Sequence, residues 1–186
     1  MTALVADTSA LVSLGVVSTD EGPDDPNAAS DATAGHSPDP LSLCLDGYSV
    51  FVPEVVVTEL RETASYDDVH ARAADAVLDR ADALTVRSVA LDASFPLDDG
   101  ENAGVTLANE IDADLFCCDE FSRLGLIHAS LADTRLVTTP TLLSAFVRTD
   151  RLTTAEARAL LDDIGDARSW DSNAYVERAR ALFEVS

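Results

Sequence analysis

The sequence predicts an α/β protein, a three-layer α/β/α sandwich around a central, mainly parallel sheet. Three observations lead there. Short apolar runs, Leu4–Ala6 and Leu115–Cys118 foremost, have the length of buried strands. Segments with helical spacing separate them, so that strand and helix alternate along most of the chain. Two of the runs end in an aspartate, Asp7 and Asp119, where a helix should begin. In an open parallel sheet the carboxyl ends of the strands are where ligands are held.

Taken in order, Leu4–Ala6 is a strand, and Ala10, Leu11, Leu14 and Val17 give residues 9–17 helical spacing. Residues 18–40 are rich in Asp, Pro, Ser and Ala with almost nothing to bury, which predicts a mobile acidic surface insertion. Residues 48–52 read as a second strand. Pro53, placed at a first helical position, starts a helix carrying Val56, Glu59 and Leu60, and a further helix spans about 66–83. Residues 84–89 alternate as a third strand. Asp99 and Gly100 predict a turn, followed by a helix with Ala103, Leu107 and Ile111 on one face and Glu101 in its first turn. Residues 115–118 form a strand, 120–131 a helix and 135–138 a strand. Two amphipathic helices, 153–165 and 173–183, close the chain; Ala157, Leu160, Leu161 and Ile164 make an apolar stripe suited to a core or a dimer surface.

At 186 residues and 47% hydrophobic, the chain is long enough for one domain with a full core. Its 34 acidic residues face 12 basic ones, all of them arginine, for a net charge of -22. Such a charge destabilises the compact state by self-repulsion in ordinary salt. At molar salt the Debye length falls to about 3 Å and the repulsion fades. The composition is that of a halophile's cytosolic protein, so the charge itself says little about the sign of a partner. Cys44, Cys117 and Cys118 are odd in number and lack metal-ligand spacing with histidine, which favours buried thiols in a reducing cytoplasm. No apolar stretch reaches the length of a membrane span, and the N-terminus lacks the pattern of a signal peptide.

Two acids delivered to one sheet edge from distant parts of the chain repel each other unless a cation or a shared proton offsets their charge. A divalent metal site is the sharper reading. Helix capping is the plainer one, for Asp7 and Asp119 and equally for Thr8 and Ser9. Several other chemistries lack their residues: no lysine for a phosphoacceptor receiver domain, no P-loop, no dinucleotide-binding glycine motif, and Ser9 where a haloacid-type phosphatase needs a second aspartate. His36, His70 and His128 share no ligand spacing.

The opening A-D-T-S-A-L-V-S-L, the P-E-V-V-V-T-E-L-R-E segment, D-D-G-E-N-A-G-V-T-L-A-N-E followed by L-F-C-C-D-E, and the closing T-T-P-T-L-L-S-A-F resemble a PIN-domain nuclease. The likeness is nearest the prokaryotic branch of toxin-like ribonucleases and covers about residues 3–150. It implies a PIN-like nuclease domain over 1–150, with 151–186 as a helical extension packed on it. It also implies Mg²⁺ or Mn²⁺ bound by Asp7, Glu59, Glu101 and Asp119, and cleavage of single-stranded RNA. In the family the hydroxyl beside the metal aspartate supports the site, a role falling here on Thr8 and Ser9. Asp7, Glu101 and Asp119 are then the inner ligands and Glu59 a water-mediated ligand or base. Hard, oxygen-seeking Mg²⁺ suits such a set. Asp98, Asp99 and Glu120 lie close enough in sequence to replace a member. With lysine absent, phosphate contacts fall to arginine, and Arg123, one helical turn beyond Asp119, is placed to face the same cleft; its plainer role is a surface ion pair with the abundant acids. The toxin role adds a small antitoxin partner and a homodimer; the competing role is a non-catalytic PIN scaffold that binds RNA or a protein.

Overall fold

The computed structural model of the chain describes residues 1–18 and 38–184, and all sheet pairings within them are parallel. Five strands, β1 (Ala3–Ala6), β2 (Ser49–Pro53), β3 (Leu84–Arg87), β4 (Leu115–Cys117) and β5 (Arg135–Val137), are ordered β3-β2-β1-β4-β5. The chain builds outward from β1 to β3, returns across the sheet, and continues from β4 to β5 on the other side. The reversal falls between β1 and β4, the place where an open α/β sheet leaves a crevice at its carboxyl edge.

The helices divide between the two faces of the sheet. Successive strand residues point to opposite sides, so Leu4, Ala6, Val50, Val52, Leu115 and Cys117 belong to one core, and Val5 and Phe116 to the other. The first core is covered by α1 (Thr8–Gly15), α2 (Pro40–Gly47), α3 (Glu54–Ala64) and α4 (Val69–Leu78), and by α7 (Thr139–Arg148), α8 (Thr154–Arg168) and α9 (Ala174–Glu184). The second is covered by α5 (Asp99–Glu110) and α6 (Leu124–Ser130), through Val105, Leu107, Ala108, Leu124 and Ile127. Burying side chains of this size contributes roughly 1.5–3 kcal/mol each. The stripe Ala157, Leu160, Leu161 and Ile164 of α8 is wholly buried in the first core, so it offers no dimer surface. All three cysteines are free and buried. Among the described residues no helix is long and apolar enough to cross a membrane.

Several boundaries differ from the sequence expectation, for local reasons. The bulk of the 18–40 insertion lies outside the described residues; its ends meet, Ser18 Oγ donating to Asp39 Oδ1 at 2.6 Å and Arg80 pairing with Asp39 at 2.9 Å. Asp39 then caps α2, a helix that the sequence pattern does not predict. Pro53 ends β2 and is the cap residue of α3 rather than its first helical position. Asp68 accepts from the Ala71 N–H, which starts α4 later than expected. Asp99 and Gly100 are helical rather than a turn, because Asp98 caps α5 one residue before them. Turn bonds from Phe121 N–H to Asp119 and from Arg123 N–H to Glu120 delay α6 to Leu124. Helix α8 runs through Gly165 to Arg168 and stops where Ser169 adopts a left-handed backbone at φ 53°.

Candidate functional site

The register Ala6↔Cys117 sets the carboxyl ends of β1 and β4 side by side, and the Asp7 N–H donates to the Cys117 carbonyl at 2.9 Å. Asp7 and Asp119 therefore leave the same edge of the sheet. Ser9 links them. Its Oγ donates to Asp7 Oδ2 at 2.6 Å and accepts from the Asp119 N–H at 2.9 Å. The neighbouring Thr8 hydroxyl donates to Glu59 Oε2, drawing α3 to the same place. Both hydroxyls that the sequence offered as supports thus touch predicted acids.

Glu59 and Glu101 come from different layers and line one cleft, with Glu59 against the start of α5. Gly100 makes the approach feasible, since a Cβ there would lie 2.5 Å from Glu59 Oε1. Glu101 forms a capping box with Asp98: its N–H donates to Asp98 Oδ1 at 3.0 Å and its carboxylate reaches back to the Asp98 N–H. Arg123 donates one guanidinium nitrogen to Asp98 at 2.7 Å and to Glu101 at 2.8 Å. It lies beside the site in ion pairs with two acids, the plainer of the two roles the sequence allowed.

A cleft of about 400 Å³ opens over Asp7, Glu59 and Glu101, with Asp98, Glu120 and Arg168 on its walls. Asp119 is absent from its lining and lies behind it, joined to Asp7 through Ser9. Capping is also present: Asp7 caps α1 by accepting from the Ser9 N–H at 3.2 Å, and Asp119 Oδ1 accepts at 2.8 Å from the Thr139 N–H, the first of α7. These acids are structural as well as candidates for chemistry. Capping does not account for all of their oxygens, however. Glu101 Oε1 and Asp119 Oδ2 are buried without a hydrogen-bond partner among the described residues, on side chains that are each 4% exposed as residues. An ionised carboxylate left this way is costly unless a cation or proton arrives.

Burial pushes the carboxyls of Asp7, Asp119, Glu59 and Glu101 above the usual range. For Glu59 the charges of Asp7 and Asp98 add to the effect, and for Glu101 that of Asp98 does, against the opposing pull of Arg123. All four environments therefore penalise negative charge. Among the described residues no three His, Cys, Asp or Glu side chains stand grouped as a ready-made metal cage. The chain matches no protein-family model, no curated protein and no solved structure.

Two cleft residues carry no signal in the sequence that ties them to the acids. His70, on α4, donates from Nε2 to the Ala167 carbonyl at 3.1 Å and lines the cleft. Arg168 reaches it from the last turn of α8. Each arrives through packing of helices far apart in the chain, which no local pattern records.

Proposed function

We propose that this chain is a Mg²⁺- or Mn²⁺-dependent endoribonuclease that cleaves phosphodiester bonds of single-stranded RNA. The two buried oxygens Glu101 Oε1 and Asp119 Oδ2 carry this reading, because no hydrogen bond among the described residues satisfies them. The donor set is all oxygen and suits a hard divalent cation, which keeps several waters and so does not need every acid in direct contact. The sequence likeness to PIN-domain nucleases adds the substrate class and the same four acids. Asp7 and Glu101, which face the cleft, would hold the ion, Asp119 would complete the acidic set from behind the wall, and Glu59 would act through water or as base. Bound metal would neutralise charge on the phosphate and lower the pKa of a water.

The chain's own residues supply the rest. Ser9 fixes the two strand-end aspartates relative to each other, and Thr8 orients Glu59. Glu59 is half-buried with a raised pKa, which brings a carboxylate closer to the range useful for taking a proton from water. The buried free thiols and the acidic surface fit a reducing, salt-rich cytoplasm. A toxin role, with a small antitoxin as partner, belongs to the same reading and is tested by the neighbouring reading frame.

Purified protein in molar KCl is expected to cut RNA from a diverse single-stranded pool, to stop in EDTA, and to recover with Mn²⁺ or Mg²⁺. A folded protein that cuts none of the pool with either metal would instead be a scaffold. That second reading is favoured by the Arg123–Glu101 pair, which already offsets part of the acidic charge.

Gly100→Ala tests the place of Glu59. The added methyl meets the end of a flexible side chain and not backbone, so the fold should persist with a melting temperature within a few degrees of the parent. The Glu59 carboxylate has to leave its seat, and cleavage should fall about tenfold or more. Unchanged cleavage would remove Glu59 from the mechanism.

A further inference from the structure

The acidic residues of the cleft explain how a cation is held, but not how a polyanionic strand is tolerated beside so much negative charge. Arg168 is the cleft's own cation. It lines the cleft with Asp7, Glu59 and Glu101, and its Nε is buried without a hydrogen-bond partner among the described residues. Arg123 differs, since its guanidinium is bonded to Asp98 and Glu101.

The end of α8 is held firmly around Arg168. On one side the Ala167 carbonyl meets His70 Nε2 at 3.1 Å. On the other, the Trp170 N–H donates to the Gly165 carbonyl at 2.9 Å, and the indole packs edge-on against Phe121 with ring centroids 5.1 Å apart. Phe121 follows Glu120, another cleft residue, so the aromatic contact ties the β4 edge to α8. The backbone that carries Arg168 is fixed in this way, and its guanidinium offers the planar fork that matches phosphate oxygens.

We propose that Arg168 is a positioning residue that binds a non-bridging phosphate oxygen of single-stranded RNA and so sets the backbone against the acidic wall of the cleft. The C-terminal extension is then part of the substrate site and not only its support. The inference rests on RNA as the ligand of this cleft but not on the strand being cut.

The test is fluorescence anisotropy of a labelled twelve-nucleotide uridine oligomer with the full chain in Ca²⁺ over a range of KCl, with a gel to confirm that the oligomer stays intact. Arg168→Gln should weaken binding about tenfold or more. The slope of log affinity against log salt should become shallower by about 0.7, as expected when one phosphate fewer is neutralised on a single strand. Arg168→Lys should recover part of the affinity. Melting temperatures of both variants in Mn²⁺ should match the parent. The proposal is overturned if the parent binds no oligomer, if Arg168→Gln binds like the parent, or if its weaker binding comes with an unchanged salt slope and a lowered melting temperature, which would mark a structural counter-ion. Arg168-dependent binding without cleavage would sink the nuclease reading alone, and metal-dependent cleavage with Arg168-independent binding would sink this inference alone.

Discussion

Asp119→Asn is expected to lower metal-dependent RNA cleavage about a thousandfold or more while leaving the metal-free fold at least as stable as the parent. The substitution keeps an oxygen to accept the Thr139 N–H at the head of α7, so the capping function survives. It removes the charge at Oδ2, the buried atom with no partner among the described residues. Removing one metal-binding carboxylate costs several kcal/mol of transition-state stabilisation, and each 1.36 kcal/mol is about tenfold in rate. The stability side follows from the pKa direction. Burial raises the Asp119 carboxyl in the folded state, so between its unfolded and folded pKa the folded chain holds more protons than the unfolded one. Stability therefore falls as pH rises through that window, and above it the full penalty is present. Asparagine abolishes this penalty. An amide N–H left unpaired in the same place costs about 1–3 kcal/mol, less than an unpaired buried carboxylate. Thermal melts in EDTA, followed upward from about pH 4, should show the parent losing stability as pH rises and the variant losing less. With Mn²⁺ the parent should be stabilised and the variant indifferent. Equal Mn²⁺ stabilisation of both, or a variant that melts lower in EDTA, would make Asp119 a cap alone. Asp7→Asn should follow the same pattern, since its bonds from Ser9 all use Oδ2 and leave Oδ1 aside.

Gly15→Ala should be the more damaging change to the fold. Gly15 is the last residue of α1, where the helix crosses α4, and a Cβ there would lie 2.6 Å from the Ala73 carbonyl oxygen. Alanine is ordinarily the better helix former, by about 1 kcal/mol. Here the obstacle is backbone of a second helix and cannot swing aside, so the clash wins. Overpacking of this kind costs about 3 kcal/mol, a drop of roughly 10 °C in melting temperature for a chain of this length. A melt in molar KCl decides it. An unchanged or raised melting temperature would mean that α1 and α4 do not meet so closely. Gly100→Ala makes the contrast, because there the added methyl meets a movable carboxylate and the deficit should appear in activity.

Much of the layered architecture was legible because it depends on short-range patterns. Apolar runs such as Leu4–Ala6 and Leu115–Cys117 have no exposed face to satisfy and read directly as buried strands. The first turns of helices were harder, since Asp, Ser and Pro near a boundary admit several starts. Asp98 caps α5 where a turn at Asp99 and Gly100 was expected, and Asp68 caps α4 inside what read as continuous helix. Helix α2 was hidden by a composition that merged with the acidic insertion before it.

For the site, local pattern was enough to place the chemistry of the edge: aspartates immediately beyond two buried strands, with Thr8 and Ser9 beside the first. Strand ends in a parallel sheet share one side, so convergence of Asp7 and Asp119 followed from the pattern alone. Long-range packing set the rest: Ser9 bridges these two acids, Gly100 admits Glu59 against α5, Asp119 lies behind the cleft wall, and Arg123 is committed to Asp98 and Glu101. It also decided where Arg168 stands. Gly165 looked like a helix end, whereas packing of Ile164 and Trp170 carries α8 one turn further, to Ser169. The physical reason is the range of the forces: strand and helix identity is set by neighbours in sequence, but the reach of a helix and the place of its last side chain are set by what it packs against.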